Sequence, residues 1–159
     1  MVRFVIAALF TLIFTAAFAG DYEDGMAAYD RKDYATALEK FHSAAQKGIA
    51  DGRYLLGFMY ETGQGVVKDY REAAHWYRLA ALQGHHPAQE CLGSLYGRGR
   101  GVLQNYVLAH MWLNIAAVNS NSPVWYIRDI AASKMTAQQI EQAQRMAREC
   151  MASNFTKCD

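Results

Sequence analysis

The strongest constraint in this sequence is that it repeats itself at an offset of 36 residues. Leu56-Gly57 recurs as Leu92-Gly93, Tyr60 as Tyr96, Gly63 as Gly99, and Gly65-Val66 as Gly101-Val102. Tyr70 recurs as Tyr106, Ala73 as Ala109, Trp76 as Trp112, and Ala80-Ala81 as Ala116-Ala117. A period of this length marks a stacked array, in which one unit cannot bury its own apolar face and must pack on the next. The second half of the unit also occurs upstream, where Asp33-Tyr34, Ala37, Phe41, Ala44-Ala45 and Gly48 match Asp69-Tyr70, Ala73, Tyr77, Ala80-Ala81 and Gly84. The first half of that early unit is shorter by four residues: Gly25 stands nine before Tyr34, whereas Gly57 stands thirteen before Tyr70.

Each full unit reads as a helix hairpin. A first helix over 51–61 ends at Thr62-Gly63-Gln64-Gly65, where glycine permits the positive φ that stops a helix. Val66 and Val67 close the turn, and Asp69 is placed to cap a second helix over 70–83 that stops at Gly84. Ala73, Trp76, Tyr77, Ala80 and Ala81 recur at three- and four-residue steps and form one apolar face. Gly57 and the alanines are small where helices must approach, and Tyr60, Tyr70 and Trp76 are large enough to fill the space between hairpins.

The combined pattern of Leu-Gly-x-x-Tyr, Gly-x-Gly-Val, Asp-Tyr, Ala, Trp-Tyr and Ala-Ala resembles the Sel-1-like repeat, a relative of the tetratricopeptide repeat. The shorter first unit, with Gly25, Ala28, Tyr34 and Ala37, looks more like a plain tetratricopeptide unit. The resemblance covers about 21–119 and is closest to the secreted bacterial type. It implies an all-α fold, a right-handed α-solenoid of stacked helix hairpins with a C-terminal helical cap. Functionally it implies an adaptor that binds a protein or peptide partner on its concave face. The third unit departs from the pattern at Asn105, which replaces the capping Asp, and at Ser120, which replaces the closing Gly.

The expected organisation has units over about 21–48, 49–84 and 85–120, followed by capping helices and a tail over 121–159. Pro123 sits near the start of a helix over 124–133. Thr136 with Gln139 reads as a capping box that opens a last helix over 137–152. An open solenoid end exposes apolar surface, so an atypical terminal pair is expected there. At the other end, one basic residue (Arg3), an uncharged run over 4–18 and the small residues Ala17 and Ala19 read as a secretory signal peptide over 1–19. The run is shorter than a spanning helix and is followed by Asp21, Glu23 and Asp24, so no membrane span is expected after cleavage. The expected location is therefore the periplasm or the outside of the cell.

The chain carries 16 Lys and Arg against 15 Asp and Glu, and loss of Arg3 with the leader leaves the mature protein near neutral. Such a chain has no overall field to attract nucleic acid, and no basic patch interleaved with aromatics offsets that. A monomer that binds protein is the expectation.

Candidate chemistry is sparse. Cys91 occupies the position of Leu55 in the previous unit and reads as a small buried hydrophobe. Cys150 and Cys158 are eight apart, and two readings stay open for them: a disulfide that staples the tail, or free thiols on a frayed end. The five histidines have no carboxylate or cysteine at metal-ligand spacing, so no metal is expected. No catalytic constellation and no cofactor motif is present. The resembled family has a cysteine-rich secreted branch with cysteines paired inside each repeat, to which β-lactam binding or hydrolysis is attributed. This chain lacks those pairs, so a cell-wall- or β-lactam-directed hydrolase is only the alternative. Removing the core positions from the first helices leaves Arg53, Tyr54, Phe58 and Glu61 as candidate partner-binding residues. Their equivalents are Gln89, Glu90 and Ser94, then Gly97 with Arg98 next to it. Tyr54 and Phe58 are either binding anchors or packing against the next hairpin.

Overall fold

The computed structural model describes residues 20–118 and 124–158. The leader over 1–19 and the expected turn over 119–123, with Pro123, lie outside the described residues. Among the described residues eight helices follow one another: α1 over 20–30, α2 Tyr34–Gln46, α3 Ala50–Thr62, α4 Tyr70–Ala81, α5 His86–Arg98, α6 Tyr106–Val118, α7 Trp125–Ala132 and α8 Ala137–Ala152. No strand occurs among the described residues. The observed ends differ from the expected ones by one or two residues, as helix ends commonly do.

Local chemistry accounts for these boundaries. The Asp69 carboxylate accepts from the backbone N–H groups of Arg71 and Glu72 and so caps α4. Asp33 accepts from Thr36 N–H at the start of α2, and Asn105 accepts from Leu108 N–H at the start of α6. The Thr136–Gln139 capping box is present in both directions at the start of α8. α3 and α5 end at Gly63 and Gly99, both in the left-handed region with φ of 76° and 65°. α5 is started by His85, whose Nδ1 accepts from Ala88 N–H while its Nε2 lies 3.1 Å from Asp51 Oδ1.

Helices pack as successive antiparallel neighbours, α3 on α4 and α5 on α6, and α6 is also covered by α7 and α8. Buried side chains form two clusters. Ala28, Ala37, Phe41, Leu56 and Met59 join α1, α2 and α3. Tyr77, Leu92, Leu95, Met111 and Trp112 join α4, α5 and α6, and Ala143, Ala147 and Cys150 of α8 close this cluster. The alanines at repeat positions 73, 80, 81 and 109 are fully buried, so backbones meet closely there.

The tail is stapled. Cys150 and Cys158 form a disulfide with Cα atoms 4.6 Å apart. Between them the chain reverses through Asn154 and Phe155, both at positive φ (52° and 63°). Phe155 reaches back to the α4–α5 turn, where a Cβ on Gly84 would lie 3.2 Å from its ring.

Candidate functional site

Most of the residues expected to line a concave face are engaged in packing. Arg53 Nε donates to Ala45 O at 3.2 Å, and Gln89 Nε2 donates to Ala81 O at 3.1 Å. Both donor and acceptor recur at the 36-residue offset. Each pair adds a second donor to a carbonyl near the C-terminal end of the preceding second helix, where Ala45 also accepts from Gly48 N–H and Ala81 from Gly84 N–H. Arg53 also reaches Leu79 O at 3.4 Å. Gln89 is fully buried at 0% exposure, so its place among binding residues is corrected: it is an internal tie between hairpins.

Tyr54, Phe58 and Glu61 share one face of α3, as their spacing requires. The Tyr54 ring lies 5.8 Å from Tyr77 and 4.8 Å from His85. Phe58 is half-buried against the second core cluster. Glu61 Oε2 accepts a hydrogen bond from the Tyr77 hydroxyl at 2.7 Å. Glu90 is half-buried and Cys91 stands beside this group as a free thiol. Burial first, and then the Glu61 charge, push the Cys91 thiol up to about 12. Burial likewise raises the Tyr77 hydroxyl far above its usual value. A thiol held protonated is a poor nucleophile.

Ser94 and Arg98 are placed differently. They stand on α5 at the edge of a groove of about 130 Å³ that α5, α6 and α7 enclose and that opens to solvent. Its α5 side is narrow because Gly93, Ser94 and Gly97 follow one another on one face. Ala109 and Leu113 of α6 form its floor, with Tyr106 at one end. α7 supplies Tyr126, Ile127 and Ile130, and two of these are conspicuously open, Tyr126 at 58% and Ile130 at 48% exposure. Among the described residues, Arg98 is the one charged side chain on the lining. Among the described residues, neither its guanidinium nor the Tyr106 hydroxyl has a hydrogen-bond or ionic partner.

The glycines of the groove have different reasons to be there. A Cβ on Gly93 would come within 2.8 Å of Leu113 Cγ and 3.2 Å of Ala109 O, so packing demands glycine, as it does at the equivalent Gly57 against Tyr77. A Cβ on Gly97 would meet only Ala109 Cβ, at an ordinary 3.6 Å. A glycine inside a helix lowers stability by roughly 0.5–1 kcal/mol relative to alanine. At Gly97 neither packing nor a left-handed backbone compensates, and what its missing side chain does is leave the groove open.

Sequence reasoning named Ser94 and Arg98 but not α7, whose residues lie outside the repeat and so had no counterpart to be compared with. Among the described residues, no three His, Cys, Asp or Glu side chains are grouped to hold a metal ion, and no helix is long and apolar enough to cross a membrane.

Comparison with known proteins agrees with this geometry. Residues 50–85 and 86–118 match the Sel1 repeat model. These two hairpins carry the Sel1 repeat. Of the solved structures, one described as a protective antigen present in uropathogenic Escherichia coli strains, displaying an SLR fold, is 32% identical with a TM-score of 0.80. The alignment covers 87% of this chain and 31% of that one, so the chain spans about a third of that relative's length. A Sel1 repeat protein from Oxalobacter formigenes is 36% identical over 54% of this chain and 66% of its own, with a TM-score of 0.53. No curated protein sequence matches. The fold is therefore an α-solenoid of Sel1-type hairpins, with α7 and α8 following the second Sel1 unit.

Proposed function

We propose that the chain is an exported interaction module, and that the α5–α6–α7 groove is where it holds a peptide segment of a partner protein. The observation that carries this reading is Gly97. It gives up helix stability without a packing reason, and beside it lies exposed apolar surface on α7. Contiguous apolar surface with a polar rim is the usual mark of a recognition site. The likeness to Sel1 repeats, whose stacked hairpins form extended binding surfaces, supports the same reading. Export is supported by the apolar run over 4–18 and by the Cys150–Cys158 disulfide, since disulfides persist in oxidising compartments. The hydrolase alternative gains no support, because the disulfide lies at the tail, not inside a repeat, and Cys91 is the free thiol.

The test is capture of partners from an envelope fraction of the source cells by the purified protein and by a Ser94→Phe, Gly97→Glu variant. That variant restores the side chains of the preceding unit and fills the groove. Loss of the partner with a melting temperature no lower than that of the parent protein supports the assignment, and undiminished capture removes it. N-terminal sequencing of the protein recovered from the same fraction tests cleavage near Ala19.

A further inference from the structure

Resting on the reading above, we infer that the groove selects a peptide segment that presents a bulky apolar side chain next to a carboxylate. The second and third units share their repeat residues and differ beside α3 and α5. In the second unit Phe58 fills the space beside α3 and the Glu61 carboxylate accepts from Tyr77. In the third unit the residues 36 further on are Ser94, Gly97 and Leu113. The aromatic ring, the carboxylate and the hydroxyl that holds it have all gone, and the backbone frame around them is retained through Gly93 and Ala109. The third unit thus lacks one apolar side chain and one acid that its twin supplies from within.

The surroundings are adapted to receive both from outside. Leu113 replaces a tyrosine and makes the floor apolar. Tyr126, Ile127 and Ile130 add apolar walls that have no counterpart to cover them among the described residues. The position after Gly97 is Arg98, where the second unit has Thr62, whose hydroxyl is turned back onto Phe58 O at 2.8 Å. A side chain tied to its own helix is replaced by a guanidinium that has no partner among the described residues, at the rim of an apolar groove. A guanidinium recognises a carboxylate with paired, charge-assisted hydrogen bonds. The Tyr106 hydroxyl, at the start of α6 beside the end of α5 that carries Arg98, offers a further donor. With Arg98 the sole charge among the described lining residues, a basic ligand would meet a like charge and a neutral one would leave the guanidinium unpaired.

The experiment is fluorescence anisotropy on the whole mature protein with four labelled ten-residue peptides that differ at two adjacent positions: Phe-Glu, Phe-Gln, Phe-Lys and Ala-Glu. The Phe-Glu peptide is expected to bind about tenfold more tightly than each of the others, a difference that one charge-assisted contact or one buried ring can supply. Arg98→Glu, at an exposed position that does not carry the fold, is expected to reverse the order of Phe-Glu and Phe-Lys. Ser94→Phe with Gly97→Glu is expected to abolish binding of all four. Equal binding of Phe-Glu and Phe-Lys, an order unchanged by Arg98→Glu, or no binding of any peptide overturns the inference. If the groove-filled variant loses its envelope partner while the peptides show no charge preference, the ligand class fails and the groove stands. If that variant keeps its partner, the groove assignment itself fails.

Discussion

The Tyr77 hydroxyl donates to Glu61 at 2.7 Å, and 36 residues later the same two positions hold Leu113 and Gly97. One position of that later pair is under no packing constraint. Gly97→Ala is therefore expected to raise stability by about 0.5–1 kcal/mol, since the added Cβ meets only a methyl at contact distance. Gly93→Ala, four residues earlier on the same helix, is expected to lower it by about 1–3 kcal/mol, because Leu113 and the Ala109 carbonyl stand too close. Thermal or urea unfolding of the two variants checks the opposite signs.

Gln89 provides a second contrast. Gln89→Ala removes one of the two donors to the Ala81 carbonyl, which keeps the Gly84 N–H, a loss of about 0.5–1.5 kcal/mol. Partner capture per folded molecule should be unchanged. A fall in capture at constant fold would return Gln89 to the binding surface.

The cysteines should behave as two populations. In the oxidised protein, alkylation under native conditions is expected to modify Cys91 slowly, because burial holds the thiol near 12, and to modify it fully in denaturant. Intact mass without reductant should then show one added group. Cys158→Ser should lower stability by about 2 kcal/mol through loss of the short cross-link. Three alkylated thiols in the unreduced protein would disprove the disulfide.

His110 makes stability depend on pH. It is buried on α6, its Nδ1 faces the Asn114 amide at 3.1 Å, and α7 brings Arg128 and Asp129 to it. Burial first and Arg128 second hold it below its ordinary 6.5, while Asp129 pulls the other way. The unfolded chain thus takes up a proton that the folded one resists, so stability is full above about 6.5 and declines as pH falls below it. Melting temperatures between pH 5 and 7.5 should show that slope, and His110→Gln should flatten it.

The hairpins were legible because their signals are local and occur twice. Asp69, Thr136 with Gln139, and the glycine stops each act on their own helix end, and each does what the sequence indicates. The groove was legible only in part. Ser94 and Gly97 are visible as departures from Phe58 and Glu61, yet whether a departure makes a cavity depends on what packs opposite. Here that is α7, which no repeat position describes. Gln89 was not legible as buried for a related reason: a polar residue on a first helix looks like surface until the carbonyl it serves, on another helix, is known.

The stapled tail has one more consequence. In a linear array each hairpin touches only its neighbours, so the ends can melt while the middle holds. Phe155 sits on the α4–α5 turn, and Cys150 and Cys158 belong to the cluster that holds Tyr77 and Trp112. The last residues are therefore joined to the middle of the stack, and the segment from α4 onward should exchange its amide hydrogens as one cooperative block, with α1 and α2 opening first.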